Sequence, residues 1–182
     1  MTEALVRFPV HWPVRKQQST SLQPLSRTSI AAMTLGLMVW SGTALAGKMD
    51  ALLGDWDLNI IKSKFRPTPP MKKYTMKVID VGDGRLHIKS DWIDADGTVG
   101  HVEYSTAFDG KPISIVDYPI ADTVTDTMVS ATTWKSVWTK NGQTVEREFE
   151  HISADGKTFR EVDEGKGKKG KQYKNHLVFE RP

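Results

Sequence analysis

The 182-residue chain contains no cysteine. Disulfide bridges and thiolate chemistry are excluded, so a folded domain has to be held by its own core. After residue 46 there is no apolar run long enough to span a membrane as a helix, and no segment with a helical period. The motifs of common nucleophilic and metal sites are also missing: no Gly-x-Ser-x-Gly elbow, no His-x-His and no His-Glu-x-x-His. The basic, glycine-rich stretch "GKGKKGK" (165–171) lacks the Gly-x4-Gly-Lys-Ser/Thr order of a phosphate loop. It reads as a solvated hairpin tip, with a salt-sensitive contact to anionic lipid or polysaccharide as the other option.

Net charge is scarce too. The formal charge of +3 and the pI near 9.0 owe much to residues 1–46, which hold four of the 25 Lys+Arg and one of the 22 Asp+Glu. Residues 47–182 carry 21 of each. Basicity therefore offers no argument for a nucleic-acid partner, and none is expected.

What is present at the start is a leader. Arg15, Lys16 and Arg27 precede the uncharged run "IAAMTLGLMVW" (30–40), and small residues "SGTALAG" follow. Ala44-Leu45-Ala46 is an A-x-A cleavage pattern, with Gly47 as the new N-terminus. The run is short for a membrane span, which disfavours an uncleaved anchor. The expectation is a signal peptide over 1–46 and one domain over 47–182, periplasmic or secreted, with no stable membrane span after cleavage.

Asp-Gly and Asn-Gly turns then recur at 83–84, 96–97, 109–110, 141–142 and 155–156, separated by segments rich in Val, Ile, Thr and aromatics. Such spacing predicts an all-β sandwich or barrel. Ten strands are expected at about 54–64, 71–81, 85–94, 98–108, 111–116, 122–130, 131–140, 143–153, 157–164 and 171–181. "PTPP" (67–70) and "YPIAD" (118–122) are irregular links.

Alternation assigns faces, because successive strand side chains point oppositely. Leu86, Ile88, Ser90 and Trp92 share one face. Val102, Tyr104, Thr106 and Phe108 share another, as do Trp134, Ser136 and Trp138. Tyr173, Asn175, Leu177 and Phe179 group in the last strand. In the eighth, Val145, Arg147, Phe149 and His151 are expected inward, with Thr144, Glu146, Glu148 and Glu150 outward. One aromatic and one charged face make an antiparallel sheet with a wet side, best relieved of edges by closing on itself.

"GDWDLNIIKSKFRPTPPMKK" (54–73) opens this meander on Gly54-x-Trp56, and "NHLVFERP" (175–182) ends it. The chain resembles the lipocalin and fatty-acid-binding-protein superfamily, the calycins, and within it small secreted bacterial lipocalin-like proteins. The resemblance implies a single antiparallel up-and-down β-barrel of eight to ten strands. It also implies that Trp56 plugs the closed end, with Arg181 as the basic side chain over it. Two departures stand out. Only "KSKFRPTPPMKK" occupies the place of the helical lid between strands one and two. The Arg-x-Tyr that takes a fatty-acid carboxylate is absent from strand ten.

The inward face is the candidate site. Trp92, Tyr104, Trp134, Trp138 and Phe149 would supply apolar walls, against the alternative of plain core filling. Arg147, Tyr173, His151, Asn175 and Ser136 would supply polar groups. An inward guanidinium would recognise a ligand carboxylate or phenolate; a bulge or register slip would put Arg147 outside instead. His87, His101, Asp91 and Glu103 could meet on the wet face, but without tight ligand spacing no metal is expected. Asp122 and Asp126 share a strand face without being singled out as a catalytic pair.

Three functions follow. The leading one is binding of a small apolar or aromatic molecule, with an acidic group as an option. The second is a cofactor-free isomerase, cyclase or lyase, with Arg147 as oxyanion holder and His151 or Tyr173 moving a proton. The third is an envelope interaction protein with a filled barrel. Fold alone does not choose among them, and oligomeric state is unread.

Overall fold

A computed structural model describes residues 50–167 and 170–182. The leader, and Lys168 and Lys169 of the basic loop, lie outside the described residues. A 3-10 turn (Asp50–Leu52) precedes ten strands: β1 (Gly54–Leu58), β2 (Lys73–Gly82), β3 (Arg85–Ile93), β4 (Val99–Thr106), β5 (Asp109–Ser114), β6 (Thr123–Ser130), β7 (Thr133–Lys140), β8 (Gln143–Ile152), β9 (Thr158–Lys166) and β10 (Gln172–Glu180). All pairings are antiparallel, in the order β4-β3-β2-β1-β10-β9-β8-β7-β6-β5. The first and last strands pair in the middle of the sheet, so the meander curls into a nearly closed barrel whose seam is β4 against β5. Asp83-Gly84 and Asn141-Gly142 adopt the paired positive φ of tight hairpins. Among the described residues no helix is long and apolar enough to cross a membrane.

β1 stops six residues short of expectation. Asn59 makes the break: its carbonyl accepts from the Ser63 amide (3.1 Å) and hydroxyl (2.7 Å), and its Oδ1 accepts from the Lys62 amide (3.0 Å). The chain then rejoins β10, where Lys64 and His176 exchange backbone hydrogen bonds at 2.8 Å.

Burial divides the interior into two tiers. At the end that carries Asp50, Pro182 and the 153–157 turn, Leu52, Trp56, Val78, Phe159, Leu177 and Phe179 are almost fully buried in one apolar cluster. At the end that carries the 59–72, 94–98, 115–122 and 141–142 links, a second cluster joins Val102, Ile115, Ala121, Val124 and Trp138. The expected inward faces of β3, β4, β7 and β10 are the buried ones.

The eighth strand is the exception. Trp138 of β7 pairs with Glu146, yet Thr139 pairs with Thr144, so Val145 is an extra residue, a β-bulge. Val145 stays inward, packed on the second cluster. Beyond it the alternation is inverted: Glu146, Glu148, Glu150 and Ile152 turn in, while Arg147, Phe149 and His151 are exposed. The expected inward placement of those three is thereby corrected.

Candidate functional site

Antiparallel register stacks the inward side chains of β6 to β10 in three cross-strand rungs. The uppermost is Val124–Trp138–Glu146–Gly165–Tyr173. The middle one is Asp126–Ser136–Glu148–Asp163–Asn175. The lowest is Met128–Trp134–Glu150–Glu161–Leu177. Directly opposed side chains have Cβ atoms only about 4.5–5.5 Å apart. Glu148 therefore faces Asp163, and Glu150 faces Glu161. Six carboxyls line one wall, and among the described residues no Lys, Arg or His is buried.

The facing wall is aromatic. Tyr104 and Tyr118 each meet Trp138 edge to face, at 5.6 and 5.5 Å between ring centroids, and Trp92 meets Tyr118 at 6.0 Å. Trp92 lies across β4 at Gly100, its pairing partner, in the space a Cβ there would need. Tyr74 completes the wall, against Trp92 at 5.9 Å. Tyr74, Tyr104 and Glu148 are only partly buried.

Hydrogen bonding in the lumen is incomplete. Ser136 donates to Glu150 Oε2 (3.0 Å), and Asn175 Nδ2 donates to Asp163 Oδ2 (3.1 Å). Asn175 Oδ1 in turn accepts from the Arg66 amide and the Thr68 hydroxyl, both at 3.0 Å, which ties the 59–72 link over the barrel's upper end. Both oxygens of Asp126, Oδ1 of Asp163 and Nε1 of Trp138 have no partner at hydrogen-bonding geometry.

Burial without counter-charge raises all six carboxyls. Loss of hydration pushes Asp126 up to about 6, although Ser136, Thr106 and Tyr104 nearby pull it down. Glu146 rises to about 7, first from burial and then from the charge of Asp163. Glu148 is driven well up by burial, then by Glu161 and Glu146; Glu161 by burial, then by Asp163 and Glu150; Glu150 by burial, then by Glu148 and Asp126. Asp163 is raised by burial, with Asn175 opposing. Tyr173, beside Glu146, is held protonated by the same loss of water.

Trp92, Tyr104, Trp138 and Tyr173 thus face the lumen, together with Ser136 and Asn175. Trp134 belongs to the packed floor instead, stacked parallel on Phe159 with ring centroids 5.6 Å apart. Phe149, at 51% exposure, is on the outer surface. So are Arg147 and His151, and the anion-recognition, oxyanion and proton-transfer roles that needed them inside lose their geometry. His87, His101, Asp91 and Glu103 do meet on the outer face. His101 Nδ1 lies 2.8 Å from Asp91 Oδ1, and Glu103 Oε2 is 3.8 Å from His87 and 3.7 Å from His101. They pair with one another, and among the described residues no group of three or more such side chains has metal-holding geometry.

The acidic wall was hidden by the rule that charged strand positions face water. One signal for it was available: Asp126 alternates with Val124 and Met128, and Glu161 and Asp163 alternate with Phe159.

At the floor, Trp56 is fully buried and donates Nε1–H to the Leu52 carbonyl (2.8 Å). The Arg181 guanidinium lies 4.3 Å over its ring. That guanidinium also donates to the carbonyls of Leu53 (2.9 Å), Ala51 (2.8 Å) and Gly156 (3.0 Å). Gly54 has φ +111°, and a Cβ there would sit 2.7 Å from Arg181 Nη1, so glycine is required both for the backbone and for the approach. The fold is lipocalin-like.

No family model matches the chain, and no curated protein matches it. Solved structures of similar shape include the zebrafish ileal bile acid-binding protein complexed with cholic acid. It is 11% identical over 72% of this chain and 99% of that one, at a TM-score of 0.44. EF1p2_mFAP2b bound to DFHBI is 12% identical over 76% and 100%, at 0.45. The siderocalin Ex-FABP is 11% identical over 72% and 74%, at 0.34. At such identities and scores the likeness carries no statement about what this lipocalin-like barrel binds.

A groove of about 580 Å³ lies at the upper end, against β8, β9 and β10. Arg66, Arg147, Glu164 and Lys174 line it together with Val145, Gly165 and Tyr173, the last two from the rung that carries Glu146. Arg147 therefore lines this groove rather than the lumen.

Proposed function

We propose that this chain is a binding protein that takes a small molecule with a flat apolar body into its barrel. The observation that supports this best is the set of inward aromatic rings, Tyr74, Trp92, Tyr104, Tyr118 and Trp138, of which all but Trp138 keep part of their surface accessible. Burying such a body against ring faces supplies affinity, and a few polar groups supply orientation. The carboxylate-bearing ligand that an inward Arg147 would have favoured is no longer part of the reading, because a second anion beside the six carboxyls would be repelled. The test is calorimetric titration with 2-naphthalenemethanol, a neutral flat probe. Saturable binding that is lost in Tyr104→Ala but kept in Phe149→Ala supports the lumen. Binding unaffected by Tyr104→Ala and abolished by Phe149→Ala refutes it.

We further propose export, with cleavage after Ala46, on the strength of the basic, apolar and small-residue segments of the leader. N-terminal sequencing of the protein from its own cells should begin at Gly47; a chain retaining Met33 to Ala46 would overturn this.

A further inference from the structure

We propose that the ligand is an organic cation, an amine or guanidinium on a flat apolar body. Its charged head would be held by Glu148, Asp163 and Glu161, and its body would lie against Tyr104, Tyr118 and Trp138. The proposal rests on the lumen being a binding site and adds the charge of what it takes.

Three observations lead there. Register places the six carboxyls on one wall in adjacent rungs, with no buried basic side chain among the described residues to balance them. Buried charges in folded proteins are paired, and buried polar atoms almost always have a partner. Independently, two deeply buried side chains aimed into the lumen lack that partner. Asp126, 1% exposed, has two unpartnered oxygens, and Asp163, 5% exposed, has one. Trp138, 6% exposed, turns its N–H toward Glu148 and favours that carboxyl in its charged form. What is missing is therefore a source of N–H donors and of positive charge. Protonation would lower the charge but bring no cationic partner to the wall.

The facing wall suits the same ligand. Rings of Tyr and Trp attract a cation to their faces, more strongly when water is excluded. An ammonium or guanidinium between them and the carboxylates would meet charge-assisted hydrogen bonds on one side and π faces on the other. The bulge at Val145 builds this arrangement, because it brings Glu146, Glu148 and Glu150 inside.

Binding should also expel protons. Asp126, Glu146, Glu148, Glu150, Glu161 and Asp163 face the site from β6, β8 and β9, and Tyr74, Tyr104, Tyr118 and Tyr173 from the other elements. Among them Asp126 is raised to about 6 and Glu146 to about 7, and burial raises the other four carboxyls as well. A cation stabilises their charged forms, so its affinity should rise with pH, whereas that of a neutral probe should not.

The experiment is calorimetric titration of the protein with three probes that share one body: 2-naphthylmethylamine, 2-naphthalenemethanol and 2-naphthoate. The expected result at pH 7.5 is amine binding about tenfold or more tighter than the alcohol, the worth of one charge-assisted hydrogen bond, with naphthoate weakest. Amine affinity should fall between pH 7.5 and 5.5. Equal affinity for amine and alcohol, or a preference for naphthoate, overturns the cation while leaving the lumen as a binding site. Failure of all three to bind overturns both. In Glu148→Gln/Asp163→Asn the amine should lose about tenfold while the alcohol keeps its affinity. Glu161→Gln serves if the double variant does not fold. Undiminished amine binding in a folded variant of either kind refutes the assignment.

Discussion

Replacing Asp126 by Asn tests the acidic lumen through stability alone, without any ligand. Asp126 is 1% exposed, and burial raises its carboxyl from 3.8 to about 6. The folded protein thus retains a proton that the unfolded chain releases as pH rises. Stability from this group is fully present below the unfolded value, near pH 4, and is lost as pH climbs through the folded value, near pH 6. A shift of about two units corresponds to about 3 kcal/mol. Asn is isosteric and has no proton to lose, so the variant escapes that loss. At pH 4 the two proteins should have nearly the same stability. At pH 8 Asp126→Asn should be more stable by about 3 kcal/mol, or about 1.5 M in urea midpoint for a slope near 2 kcal/mol/M. Relief of Glu150, which the charge of Asp126 also raises, acts in the same direction. Urea unfolding followed by tryptophan fluorescence at the two pH values measures both numbers. An identical difference at pH 4 and pH 8, or a variant less stable at pH 8, would refute the reasoning, because it would mean that the carboxylate is satisfied in its charged form.

Other regions give separate expectations. Trp56→Ala should cost about 3–5 kcal/mol by chemical denaturation, as for other large buried aromatics, with affinity per folded molecule unchanged; loss of lumen binding in a still folded protein would place Trp56 in the site. Gly100→Ala should displace the Trp92 indole, changing near-ultraviolet circular dichroism and costing about 1–3 kcal/mol; an unchanged spectrum would show that the ring has room. Arg147→Ala and His151→Ala should leave stability within about 0.5 kcal/mol and lumen affinity unaltered; a drop in affinity for either would place that side chain inside.

Strands and floor were readable because their signals are local. Asp83-Gly84 and Asn141-Gly142 specify turns by themselves, and Leu86-x-Ile88-x-Ser90-x-Trp92 specifies a face by itself. Trp56 and Arg181 were joined only through resemblance, since 125 positions separate them and no local rule links them. The lumen was misread because its chemistry depends on a pairing detail. Val145 carries no mark as a bulged residue, and Glu-Arg-Glu-Phe-Glu reads equally well with either face inward. The balance of 21 acidic and 21 basic residues also concealed a segregation. With six acids turned inside, the outer face of the described barrel carries more basic than acidic side chains even though the count is even.

The bulge at Val145 has one more consequence, concerning how such a barrel can change over time. Substitutions on β8 alter the lumen one side chain at a time. Loss of a single residue at Val145 would instead exchange the whole lower strand, bringing Arg147, Phe149 and His151 in and sending three glutamates out. In a barrel of this design, one-codon insertions and deletions near a hairpin can exchange which side chains face the lumen without changing which residue types the strand contains. Length differences in β8 between similar barrels would then be a better guide to how each lumen is lined than the identity of any one inward residue.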